Sequence, residues 1–195
     1  LLPRNAVSLI SILYASPVFG FGAGATDIFV FLIYLVYLYI VINVCISKWR
    51  RISPTSFIPL AKGVGGYMNS TLAKIDAVDN GYDDAIMLGD DGTVAEGSGQ
   101  NIFIVKNDNI YTPPNSTGAL NGITRRTVIE IAKSKNISIE ERNLTVEDLK
   151  NADEVFFTGT ATGVVGVVSI DGDDISNGNV GEITSDLINS YEDVV

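Results

Sequence analysis

The stretch Pro59-Leu60-Ala61-Lys62-Gly63-Val64-Gly65-Gly66-Tyr67 sets one lysine among apolar residues and glycines. If such a segment is buried, the ammonium loses solvation, its pKa falls and a neutral amine becomes available as a nucleophile. The plain alternative is a solvated loop lysine whose stem lies on apolar surface. The rest of the composition narrows the chemistry. The 195 residues contain no histidine and one cysteine, Cys45. That removes Ser-His-Asp and Cys-His catalysis, the common zinc sites and an intrachain disulfide. A formal charge of −10 excludes the basic surface of a nucleic-acid binder. No metal site is expected.

Outward from the lysine, the pattern is that of an α+β domain. Asn69–Asn80 carries Leu72, Ile75 and Val78 at helical spacing, and Gly81 suits the helix end. Strands are predicted at Ala85–Leu88, Gln100–Val105, up to Tyr111-Thr112, Val155–Thr158 and Val164–Ile170, separated by the turns Asp90-Asp91-Gly92, Asn107-Asp108-Asn109 and Asp171-Gly172. Thr124 is predicted to cap a helix over Arg125–Asn136, with Val128, Ile131 and Ala132 on one face. Thr145 and Asp148 form a capping-box pattern for a short helix through Lys150.

Three further turns carry chemical potential. Glu96-Gly97-Ser98-Gly99-Gln100 opens on a carboxylate and runs into a strand. A carboxylate beside a pyridinium nitrogen holds it protonated, which makes a pyridoxal ring an electron sink; the other reading is a solvated turn. Gly122-Ile123-Thr124 precedes a helix, where free N–H groups and a hydroxyl make a phosphate cradle; the other reading is a plain helix cap. Thr158-Gly159-Thr160-Ala161-Thr162 follows a strand and leaves N–H groups and hydroxyls open to an anion, or is a surface turn.

The order of these blocks is specific. Ser47–Lys62, Glu96–Phe103, Tyr111–Pro114, Gly118–Arg125 and Ala152–Ala161 resemble fold-type IV, pyridoxal-phosphate-dependent aminotransferases of the branched-chain amino-acid type, from about residue 44 to the C-terminus. The resemblance implies the large C-terminal domain of the D-amino-acid aminotransferase-like fold over residues 48–195. It implies pyridoxal 5′-phosphate as cofactor, with Lys62 as the Schiff-base lysine that also moves the proton. Tyr67 would hydrogen-bond the ring hydroxyl and Glu96 the ring nitrogen; Ile123, Thr124 and Thr160 would hold the phosphate. Thr160 and Ala161 lie in the loop that receives the substrate carboxylate. The implied reaction exchanges amino groups between leucine, isoleucine or valine and 2-oxoglutarate, in a cytoplasmic homodimer or larger homo-oligomer. A D-amino-acid aminotransferase or an aminodeoxychorismate lyase of the same fold is the nearest rival, disfavoured by Trp49-Arg50-Arg51 and Asn151–Phe157. A non-catalytic, membrane-tethered domain is a rival from another class. The sequence departs from the family at Gln100, where relatives usually carry glutamate, and at Thr162-Gly163.

Residues 1–47 match the family poorly. Arg4 and Asp27 are their only charges, and Ile28–Ile46 is apolar but for Asn43. The run is long enough to be a membrane anchor, with Lys48, Arg50 and Arg51 keeping the C-terminal part in the cytoplasm. Its β-branched and aromatic residues equally suit one or two buried strands, and its abrupt texture suits a reading-frame artefact. Residues 1–46 are too short for the smaller N-terminal domain that supplies an arginine to the phosphate in the family; Asp27-Ile28-Phe29-Val30-Phe31 would suit a remnant of its last strand, and turnover is expected to be impaired without that domain.

Overall fold

A computed structural model describes residues 41–58 and 61–195, of which Val41–Val195 form one compact unit. Its first strand, β1 (Val41–Ile46), comes from the end of the apolar run. The strand reading therefore holds for those residues, of which Val44 is buried and the others half-buried; residues 1–40 lie outside the described part. β1 sits between β2 (Asp84–Leu88) and β8 (Gly163–Ile170), parallel to both. A strand paired on both edges within the sheet need not alternate apolar with polar residues, and Val44 of β1 is fully buried. Among the described residues no helix is long and apolar enough to cross a membrane.

The remaining strands are β3 (Val94–Gly97), β4 (Asn101–Lys106), β5 (Asn109–Thr112), β6 (Ile139–Glu141), β7 (Glu154–Gly159) and the short β9 (Asp173–Asp174). The sheet runs β3-β2-β1-β8-β7-β4-β5-β6, with β9 on β8. β3 ends this path, yet a single turn, closed by Gly97 N–H donating to Gln100 O at 2.7 Å, joins it to β4. The sheet therefore curls, and Glu96 on β3 is brought round to face the end of β4.

Period-two alternation builds a core on each face. Ile102, Ile104, Val155 and Phe157 pack inward with Val44, Ile86 and Leu149. Phe103, Val105 and Phe156 face the other way, against Val128, Ile131 and Ala132 of α2 (Ile123–Ser134) and Leu187 of α4 (Glu182–Glu192). Phe103 and Phe156 are register partners, stacked at 4.8 Å. α3 (Val146–Lys150) starts with the predicted capping box, Thr145 and Asp148 each bonding the other's backbone N–H.

α1 (Met68–Asp79) lies within a residue of its predicted span, and Gly81 at φ 87° follows its end. Its orientation is the unexpected feature. Ala73 and Ala77 pack on Ala85 and Met87 of β2 and Ser70 is buried beside them on the helix, while Leu72, Ile75 and Val78 are exposed. Small residues let the helix approach the sheet closely. A second correction concerns α2, which begins at Ile123 with Gly122 as N-cap, so Thr124 is its second residue and not its cap.

Candidate active site

One cavity of about 270 Å³ gathers Lys62, Tyr67, Glu96, Ile123, Thr124 and Thr160. Six of the seven expected site residues thus meet, although they come from segments as distant in sequence as Lys62 and Thr160. Ala161 does not line it; it stands exposed beyond Thr160 in the β7–β8 turn.

Glu96 is the best-defined group. Its side chain is 7% exposed and receives Nη2 of Arg51 at 3.0 Å on Oε1. Oε2 accepts from Leu120 N–H at 2.9 Å and from Asn101 Nδ2 at 3.2 Å. A carboxylate has about four acceptor sites, so a donor arriving from the cavity still finds one. Burial pushes the Glu96 carboxyl above its ordinary range, and the Arg51 guanidinium and the Leu120 N–H pull it partly back.

Arg51, which the sequence marks only as part of the Trp49-Arg50-Arg51 block, proves to be a site residue. Besides Glu96, its guanidinium donates to Ser70 Oγ at 2.7 Å, to Gly66 O at 3.5 Å and to Gly118 O at 3.4 Å. It therefore joins the carboxylate to the turn that carries Tyr67 and to the loop before α2. Asn101 is a site residue likewise. Its amide bridges Glu96 and Leu120 O, the latter at 2.7 Å, and the turn pattern Glu96–Asn101 is the only signal in the sequence that could have found it.

The cationic end differs from expectation. Lys62 is exposed at the cavity's edge, so the described residues do not supply the desolvation that its apolar neighbours suggested. Tyr67, half-buried, precedes α1, and its hydroxyl has no partner among the described residues.

The opposite wall is the N-terminus of α2. Its first-turn amides have no carbonyl four residues back to receive them, and its dipole favours an anion. Thr124 is 3% exposed, with its hydroxyl 3.4 Å from that of Tyr191 on α4. A Cβ on Gly122 would collide with Asn101 Oδ1, so any larger residue there would displace the Asn101 amide. Two buried polar atoms of the cavity wall, Thr158 Oγ1 and Gln100 Oε1, have no partner among the described residues. Unpaired buried polar atoms are costly, and both belong to residues that line the cavity. A cationic edge, a buried carboxylate and an anion cradle in one cavity fit pyridoxal phosphate.

Comparison with known proteins shows the family and the fold. Residues 26–170 match the model of the class IV amino-transferases; the match takes in the whole apolar run Ile28–Ile46 that texture alone set apart. The branched-chain-amino-acid aminotransferase of Pseudomonas aeruginosa is 42% identical over 154 residues, 79% of this chain and 50% of that one. The branched-chain aminotransferase of Thermoproteus uzoniensis, solved with norvaline, superposes with a TM-score of 0.77 at 41% identity, over 81% of this chain and 52% of that one. The branched-chain amino acid aminotransferase of Thermobaculum terrenum, solved in its PLP form, gives a TM-score of 0.76 at 37% identity, over 78% and 50%. The chain spans about half the length of the curated relatives it matches.

Proposed function

The chain belongs to the class IV amino-transferase family, and from that premise we propose that it serves pyridoxal-phosphate-dependent transamination between branched-chain amino acids and 2-oxoglutarate. One observation carries the reading: a lysine, a buried carboxylate and an open helix N-terminus line one cavity. The bound cofactor would supply an electron sink that makes the substrate's Cα proton acidic.

The chain's residues do the rest. Lys62, at the cavity edge, holds the cofactor covalently and then carries the proton at Cα. Glu96, fixed by three donors, keeps the ring nitrogen protonated, and that electrostatic partner costs no reorganisation during reaction. Tyr67 orients the ring through its hydroxyl. The Ile123 and Thr124 amides hold the phosphate, and Thr160 adds a hydroxyl beside it. Thr160 and Ala161, in the β7–β8 turn, offer N–H groups to the substrate carboxylate. A homodimer in the cytoplasm is part of the same proposal, and exposed Leu72, Ile75 and Val78 give a second copy an apolar surface to cover.

The test is a single-turnover reaction. Cofactor-loaded protein mixed with L-leucine should release 2-oxo acid slowly, up to one equivalent per bound cofactor, and D-alanine should not replace leucine. Release from D-alanine alone would transfer the chain to the D-amino-acid branch of the fold. Cofactor binding without release from any amino acid would overturn the transamination reading.

A further inference from the structure

The anion cradle at α2 has a feature beyond its amides. Arg126, the fourth residue of the helix, lines the same cavity as Gly122, Ile123, Thr124 and Thr160. Helical side chains slant toward the N-terminus, so this guanidinium is directed at the open end of the helix. No carboxylate among the described residues pairs with it, unlike its neighbour Arg125, which is buried and held by Glu141 at 2.8 Å and by Pro113 O at 3.1 Å. The adjacent arginines thus divide, one fixed inside the fold and the other at the cavity.

The second observation comes from the sheet. Thr158 is 1% exposed, and its Oγ1 has no hydrogen-bond partner among the described residues. It shares a face of β7 with Phe156, the face that packs on α2 and α4, and it lines the cavity. A hydroxyl buried in this way and left unpaired is costly. An anion at the helix terminus would be an acceptor for it.

We propose that Arg126 and Thr158 complete a phosphate-binding subsite at the N-terminus of α2, Arg126 supplying charge from the solvent side and Thr158 a hydroxyl donor from the sheet. The proposal rests on the cofactor reading for the identity of the ligand, though not for the existence of the subsite. Arg126 carries the charge that backbone amides lack, and its planar fork matches phosphate oxygens two at a time. Because it is exposed, it strengthens binding modestly and in a salt-dependent manner.

The experiment compares pyridoxal phosphate with pyridoxal, which lacks the phosphate, by equilibrium titration of the full chain and of R126A, R126K and T158V. R126A should weaken pyridoxal phosphate about fivefold, an effect of the size of an exposed ion pair, and leave pyridoxal unchanged. R126K should recover part of the loss. T158V, which removes the unpaired hydroxyl at nearly constant volume, should weaken pyridoxal phosphate while leaving the melting temperature of the free protein unchanged or higher. Equal losses for both ligands, or no loss in R126A, would overturn the proposal. Inorganic phosphate, titrated by its effect on the melting temperature, separates the two readings. If phosphate binds in an Arg126-dependent way while pyridoxal phosphate does not, the subsite stands and the cofactor reading fails. If wild type responds to neither, both fail.

Discussion

Replacing Gly122 by alanine tests how the two walls of the cavity are coupled. The backbone there (φ −63°, ψ 148°) suits any residue, so the substitution brings no dihedral strain. Its whole effect beyond capping propensity comes from the new Cβ, which would collide with Asn101 Oδ1. Overpacking of this kind costs about 1–3 kcal/mol. Rotation of Asn101 relieves the collision, but it gives up the 2.7 Å bond to Leu120 O and the contact with Glu96, at about 1 kcal/mol for a bond of that kind. In an Asn101→Ala background the obstacle is gone, and Gly122→Ala should then cost only about 0.5 kcal/mol, the difference between glycine and alanine at an N-cap. The two substitutions should therefore couple by roughly 1 kcal/mol or more. Urea unfolding followed by the fluorescence of Trp49, the single tryptophan, measures all four proteins. Equal costs for Gly122→Ala in both backgrounds would refute the close approach of the α2 turn to β4.

Two further substitutions probe the carboxylate. Arg51→Met leaves Glu96 buried without its cation, and breaking such a pair from one side should cost about 3–5 kcal/mol in urea unfolding; a loss under about 1 kcal/mol would mean that the guanidinium is not engaged. Glu96→Gln should slow amino-group release from leucine about a hundredfold or more while cofactor remains bound, and an unchanged rate would remove Glu96 from the ring nitrogen. The same variant has a pH signature. Burial raises the folded Glu96 pKa, so between the unfolded value of about 4.3 and the folded value the native state binds more protons. Wild-type stability relative to Glu96→Gln should therefore fall as pH rises through that window; a difference that grows with pH would contradict the raised carboxyl.

What the sequence revealed was whatever local chemistry decides. The Thr145–Asp148 box, the glycine after α1 and the alternation of Ile102, Phe103, Ile104 and Val105 are each set by residues within a few positions. Tertiary context decided the rest. Leu72, Ile75 and Val78 have the spacing of a buried face, yet close packing through Ala73 and Ala77 wins. β3 is four residues long, ends on glycine and reads as part of a turn. α4 is hard to read because its first turn is capped from afar: Glu154 accepts from Ile183 N–H at 3.1 Å and Thr184 N–H at 2.7 Å. In the site, the order of blocks was enough to bring Lys62, Glu96 and Thr124 together. The ion pair that fixes Glu96 was not legible, since Arg51 lies 45 positions away and no local pattern links them.

The measurement closest to the central claim is borohydride reduction of the cofactor-loaded chain, followed by peptide mapping of its lysines. Lys62 should carry the reduced pyridoxyl label, because it is the lysine that lines the cavity with Glu96 and the α2 N-terminus. Label on Lys74, which is already paired with Asp84 at 3.2 Å, or on Lys106, with Lys62 unmodified, would contradict the account.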